Sequence, residues 1–208
     1  MKPKRSNAIK SCNGSSLIEV LVSLVIMSIA TLGLAALQAQ SIAQQVGANS
    51  RAKLALLTAD FSDRMRSNLS QAPKTEQSAS TSAFRLVSSW ANQAGAPAAA
   101  PNFCSVSNVS AQQRAICDVA SWRIKLRTEL PGGSAHISGN TQDGIKLTLM
   151  WFDKQFRTRP DQKREAEQLR SSDSCETIGL SSAAAQSCCP SAAQVPKGVR
   201  CHTTLLLP

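Results

Sequence analysis

A carboxylate inside an apolar run is the first pattern in this chain that calls for chemistry. Glu19 follows Leu17 by two residues, at the start of a stretch with no charged residue from Val20 to Ser50. Inserting an ionised carboxylate into hydrocarbon costs roughly 3 kcal/mol, so it needs a counter-charge or a purpose. The second pattern is sulfur. Cys12 precedes the apolar run, and Cys104, Cys117, Cys175, Cys188, Cys189 and Cys201 follow it. Only His136 and His202 accompany them, and no paired C-x-x-C occurs, which argues for disulfides rather than zinc. Fifteen pairings of the six are open; Cys104–Cys117 is the most local, and adjacent Cys188 and Cys189 are expected to choose different partners.

Catalytic constellations do not emerge. There is no G-x-S-x-G, no P-loop, no dinucleotide fingerprint and no carboxylate pair. His136 falls near a predicted strand and reads as a surface residue. No catalytic residue, metal or cofactor is therefore expected, and the chain reads as a non-enzyme.

The elements that must position these residues follow from composition. The 208 residues are 42% hydrophobic and 17% charged, which excludes a disordered polyelectrolyte. A net charge of +10 raises nucleic acid or an acidic membrane surface as partners. Aromatics at 4%, with no Tyr, are thin for stacking single-stranded bases. Leu17 to Leu37 is long and apolar enough to cross a bilayer as a helix. Lys2, Lys4, Arg5 and Lys10 precede it without an acid, which keeps the N-terminus in the cytoplasm and sends the rest across. Three N-terminal readings compete: a signal peptide cut at Gly33-Leu34-Ala35 or Ala39-Gln40-Ser41, an uncleaved anchor, or a leader cut before the apolar run. Glu19 separates them, because neither a signal peptide nor a plain anchor has a use for it.

The string Lys10-Ser11-Cys12-Asn13-Gly14-Ser15-Ser16-Leu17-Ile18-Glu19 resembles the class III signal sequences of type IV pilins and pseudopilins. The resemblance implies cleavage between Gly14 and Ser15 by a prepilin peptidase, N-methylation of Ser15, and a functional Glu19 at the fifth mature position. Ser15 stands where that family usually has Phe or Met. Ser15 and Glu19 are one helical turn apart, so the carboxylate can neutralise the new α-ammonium in its own helix or in a neighbour. In an apolar bundle such pairing sets register, because an unpaired buried charge is very costly. Leu32–Gln38, Ala52–Asp60 and Asp63-Arg64-Met65-Arg66-Ser67-Asn68 further resemble the PilV group, the type IV pilus modification proteins, as do Trp122–Gly133 and Ile145–Asp153. That likeness implies a minor pilin incorporated into a type IV pilus or priming its assembly. The alternatives are a type II secretion pseudopilin and, further off, a DNA-binding minor pilin. Its implied partners are the peptidase/N-methyltransferase, other minor and major pilin subunits, the inner-membrane assembly platform and the lipid bilayer. Its implied location is the inner membrane with a periplasmic head, then the pilus.

The expected organisation is a leader at 1–14, a pilin helix at 15–70 with its membrane half at about 17–37, and an α+β head at 71–208. Leu54, Leu57, Phe61, Met65 and Leu69 recur at helical spacing and predict a buried stripe. Asp60/Arg64 and Asp63/Arg66 read as solvated helix pairs. Gln71–Ser82 reads as a linker, Ser82–Gln93 as a short helix, and Gln112–Leu130 as a helix stopped by Pro131-Gly132-Gly133. Ala135–Ser138, Ile145–Phe152 and Thr203–Leu207 predict strands of a small antiparallel sheet, with Trp151 in the core. About 153–173 reads as a charged, mobile excursion. Loss of the four leader cations leaves 19 Lys/Arg against 13 Asp/Glu. The cluster Arg123, Lys125 and Arg127 alternates along a helix and shares no face, so nucleic acid is not expected as a partner.

Overall fold

Apolar and small residues without a proline until Pro73 wind into a single helix of 51 residues, α1 (Leu17–Ser67). The computed structural model describes residues 17–95, 99–158 and 168–207. The chain divides into two compact units, residues 1–48 and 49–208. What is described of the first is helical, with side chains exposed throughout Leu17–Ile42. Everything else concerns the second unit.

Its centre is a three-stranded antiparallel sheet, ordered β1 (Ser134–Asn140), β2 (Gly144–Phe152) and β3 (Val199–Leu206). Pairing runs from Ser134 opposite Met150 to Asn140 opposite Gly144, and from Ile145 opposite Leu206 to Phe152 opposite Val199. Alternation sends Ile145, Leu147, Leu149 and Trp151 to one face, together with Ala135, Ile137 and Leu206. This face packs on the buried stripe of α1, made of Leu54, Leu57, Phe61 and Met65, and on Ala115, Val119, Trp122 and Leu126 of α4 (Ala111–Glu129). Trp151 is buried, as its position in the alternation predicts. The other face carries Met150, Val199 and Cys201 against Trp90, Cys189 and Ala193.

Local signals explain the boundaries. A capping box of Ser110 and Gln113 opens α4, each side chain accepting from the other residue's main-chain N–H. Pro131-Gly132-Gly133 stops it. A Cβ at Gly133 would run into the carbonyl oxygen of Leu126, so only glycine lets the chain turn back that tightly. The stripe of α1 ends one step earlier than its periodicity predicts. The helix stops at Ser67, Leu69 falls in a 3₁₀ turn and is exposed, and Asn68 is buried, donating from Nδ2 to the Ala111 carbonyl.

The segment between α1 and α4 corrects two expectations. The stretch read as a linker begins on the last residue of a 3₁₀ turn, Leu69–Gln71, and contains a short helix, α2 (Glu76–Ala79), capped by Thr75 and Ser78. The helix expected over Ser82–Gln93 shrinks to α3 (Trp90–Ala94). A turn built on Ser82 instead drops Phe84 into the core, and Leu86 exchanges two main-chain hydrogen bonds with Ile137. Pairing with the outer edge of β1 satisfies more backbone there than an isolated helical turn could. Gln93 continues the device: its amide donates to the Ala135 carbonyl and accepts from the Ala135 N–H, standing in for a strand residue.

Part of the charged stretch is described. Arg157 bridges Leu169, Thr158 donates to the Gln168 carbonyl, and Arg170 donates to the Phe156 carbonyl. The legs of the excursion are thus paired, while its centre, 159–167, lies outside the described residues. The tail beyond it holds a further helix, α5 (Ser182–Ser187), that periodicity did not announce.

Candidate functional site

Glu19 is the third residue of α1 as described. Gly14 and Ser15 lie outside the described residues, as does Cys12. From Leu17 to Ile42 the helix presents Leu, Ile, Val, Met and Ala all round, which is the surface of a span or of a packed bundle. Three of its four hydroxyls turn inward onto their own main chain. Ser23 Oγ donates to the Glu19 carbonyl at 2.7 Å, Ser28 Oγ to that of Leu24 at 2.7 Å, and Thr31 Oγ1 to that of Ser28 at 2.9 Å. Hydrocarbon therefore meets no unsatisfied hydroxyl along these turns. The helix is long and apolar enough to cross a membrane.

Around the second half of α1, side chains thought to be merely solvated tie two helices together. Asp60 accepts from Arg64 Nε at 2.8 Å and from Lys125 Nζ of α4 at 2.9 Å. Arg64 also reaches Asp118, 3.7 Å away. Partial burial works against the Asp60 charge, but hydrogen bonds and charges from Lys125 and Arg64 outweigh it and hold its carboxyl below the ordinary value. Burial pushes Asp118 upward, with Arg64 and Arg114 offsetting part of this. Asp63 and Arg66 form no ion pair among the described residues. Lys53 caps the end of α4 through the Glu129 carbonyl and carboxylate, both at 3.1 Å. Arg123, Lys125 and Arg127 of α4 do different jobs. Lys125 serves Asp60, Arg127 caps α3 through the carbonyls of Gln93 and Ala94, and Arg123 is half-buried, its guanidinium shifted downward by burial and by Arg127. Neither the Gln93 device nor the Asp60–Lys125 link was visible in the sequence, since each joins residues far apart in the chain. Trp122 adds a third: its Nε1–H donates to the Leu57 carbonyl at 2.9 Å.

The six cysteines form three disulfides: Cys104–Cys117, Cys175–Cys188 and Cys189–Cys201. The adjacent pair therefore faces two ways, one member joined back to the tail and the other forward to β3. Each bridge closes a span of 12 or 13 residues, for which loop-closure entropy is worth about 3 kcal/mol. Non-reducing mass analysis of the exported chain should find no alkylatable thiol after Cys12. Loss of any one bridge is expected to cost about 2–4 kcal/mol and to shorten survival in a protease. Two reactive thiols in the oxidised head would contradict this map.

The stapled tail buries a histidine that was expected at the surface. His136, on β1, is 6% exposed, and neither ring nitrogen has a partner among the described residues. It points to the face opposite α1 and α4, a face whose alternation reads as solvent-directed until the tail is laid over it. Burial pushes its pKa down, Arg85 adds to this, and Glu176 opposes it. Burial lowers His202 as well. A histidine whose pKa falls on folding binds its proton more readily when unfolded, so stability is complete above the unfolded value of about 6.5 and declines as pH drops below it. Chemical denaturation between pH 7.5 and 5 should show this loss. His136→Leu is expected to flatten the slope, and an unchanged slope would assign it elsewhere. Asp60 adds a further loss only in the carboxylate range, and Asp118 acts in the opposite sense.

Among the described residues, no group of three or more His, Cys, Asp or Glu side chains converges as a metal site would require. A family model, the prokaryotic N-terminal methylation motif, matches residues 9–35. No curated protein and no solved structure matches the chain. The matched stretch carries the end of the basic leader, Gly14, Ser15, Glu19 and the apolar run. Such a motif marks a subunit of the type IV pilin or pseudopilin kind, handled by a prepilin peptidase and anchored in a membrane.

Proposed function

We propose that this chain is a PilV-type minor pilin, a structural subunit that performs no catalysis. The peptidase cuts between Gly14 and Ser15 and methylates the Ser15 amine. The subunit then waits in the inner membrane with residues 71–208 in the periplasm, and enters a type IV pilus through α1. Glu19 guides that entry by pairing with an α-ammonium, its own or a neighbour's. The observation that supports the pilin-type part of this reading is the match across residues 9–35, a stretch that includes Gly14, Ser15, Glu19 and the start of the apolar run. The apolar surface of Leu17–Ile42 supports it, and the oxidised cysteines suit a compartment outside the cytoplasm.

The experiment is the mass of the mature N-terminus, with fractionation of sheared fibres. The expected product begins at a methylated Ser15. Gly14→Ala should be nearly silent, whereas the bulkier Gly14→Val should leave full-length precursor in the membrane. A start near Gln40 or Ile42 would sink the reading in favour of an ordinary signal peptide. Retention in a secretion pseudopilus rather than in sheared pili would move it to the pseudopilin class.

A further inference from the structure

The two edges of the sheet are treated differently. On β1, the main-chain groups of Ala135 are taken by Gln93 and those of Ile137 by Leu86, and the Thr141 N–H just beyond the strand donates to the Pro73 carbonyl. These bonds fix the alternation across the whole sheet. If 135 and 137 point outward, then 134, 136 and 138 point to β2. The register then turns Val199, Cys201, Thr203 and Leu205 of β3 to the outside. Val199 is capped by Ser172 Oγ at 2.6 Å, and Cys201 is buried beside its disulfide. The N–H and C=O groups of Thr203 and Leu205 have no hydrogen-bond partner among the described residues. Leu205 is 52% exposed. A depression of about 410 Å³ runs along this edge, walled by Ala185 and Gln186 of α5 and by Lys146.

Open edges are normally blunted by proline, a bulge, charge on the strand or a cover. Among the described residues none of these closes the main-chain groups of Thr203 and Leu205, although Gln93 plugs β1. Water can solvate these groups, but donors and acceptors that alternate in this way form a template for another extended backbone. Two cations flank the gap without a carboxylate partner among the described residues. Lys146 sits opposite Leu205 in the register, and Arg66 reaches the Leu207 carbonyl at 3.5 Å. A second copy of the chain would bring like charges to both ends of the new pair.

We propose that the β3 edge at Thr203–Leu205 accepts an extended segment of a different pilin-type subunit, carrying a carboxylate that meets Lys146. This goes beyond helix-mediated assembly by naming a second, head-to-head contact, and it rests on the proposed membership of a fibre. The test uses the full-length chain in detergent micelles, mixed with each other full-length pilin-type subunit of the same organism. Amide hydrogen exchange is read at single residues. Alone, Thr203 and Leu205 should exchange fast while His202 and Thr204 are slow. One partner should slow Thr203 and Leu205 by about tenfold or more. Leu205→Pro removes an outward N–H without touching the β2 ladder, and should abolish that protection and the co-purification. Leu205→Ala should keep both. Lys146→Glu should weaken binding by about tenfold while leaving the disulfide map intact.

Unprotected Thr203 and Leu205 amides with every subunit would overturn the proposal, as would full binding by Leu205→Pro. Protection that appears in the chain alone and grows with its concentration would assign the edge to a second copy and refute the named occupant. Failure of the assembly reading itself has a different signature, since it shows as uncut precursor or as fibres lacking the chain.

Discussion

Glu19→Val is expected to give a stable, processed protein that stays in the membrane and is missing from sheared pili. The cleavage proposed after Gly14 lies five residues away and is not expected to use the carboxylate. Folding of the second unit does not use it either, because the packing there is done by Leu54, Leu57, Phe61 and Met65. Entry into an apolar bundle is another matter. There a bare α-ammonium loses its hydration, and without a counter-charge the penalty is several kcal/mol, of the order of 3 or more. Incorporation should therefore fall by at least about a hundredfold, at 1.4 kcal/mol per factor of ten. Glu19→Asp, shorter by one methylene, should be intermediate. The checks are immunoblots of membrane and sheared fractions, normalised to the major subunit, together with the mass of the N-terminus. Normal incorporation of Glu19→Val would remove charge pairing from the mechanism and leave the apolar surface of α1 as the docking element.

Trp122→Ala is expected to be the most damaging single change in the head. The ring is fully buried, lies 4.8 Å centroid to centroid from Phe61, and donates to the main chain of α1. Truncation removes the largest buried side chain of α4 and opens a cavity between both helices and the sheet, at a cost of about 3–5 kcal/mol. With roughly 2–4 °C per kcal/mol for a domain of this size, the melting point should fall by about 10 °C or more. Trp122→Phe keeps much of the volume and loses the hydrogen bond, so about 1–2 kcal/mol is expected. Melts of the full chain in detergent, followed by near-ultraviolet dichroism, separate the two. Equal losses for Phe and Ala would mean that the Leu57 carbonyl contact, and not the filled volume, holds α1 to α4.

The parts that could be foreseen share one property: their signal is local. The stripe of α1, the Pro131-Gly132-Gly133 stop and the alternation from Ile145 to Trp151 each lie within a single element. The β1–β2 turn follows from two adjacent runs, and the methylation motif from a short string with a fixed spacing. What stayed hidden depends on distant partners. Phe84, Val87 and Trp90 have helical spacing, yet Leu86 is claimed by Ile137, some fifty residues on. Asp60 looks like half of a surface pair until α4 brings Lys125 to it. His136 belongs to a face that seems solvent-directed, because the segment covering it has neither helical nor strand periodicity and is held by cysteines. Cysteine types alone announce that staples exist, not which face they close.

That stapling fixes an order of events. Exchanging the partners of Cys188 and Cys189 would change each closed span by a single residue, from 13 and 12 to 14 and 13. Chain entropy barely distinguishes such spans, so the unfolded polymer has almost no preference between the right isomer and the swapped one. Selection has to come from native structure. Cys189 is held by its N–H on the Asp173 carbonyl and by its own carbonyl on the Cys175 N–H, and it packs with Met150 and Val199 on the finished sheet. The sheet must therefore stand before the tail is sealed. A cell that oxidises this chain faster than β3 reaches β2 will accumulate a scrambled form, and its yield of usable subunit will depend on a disulfide isomerase.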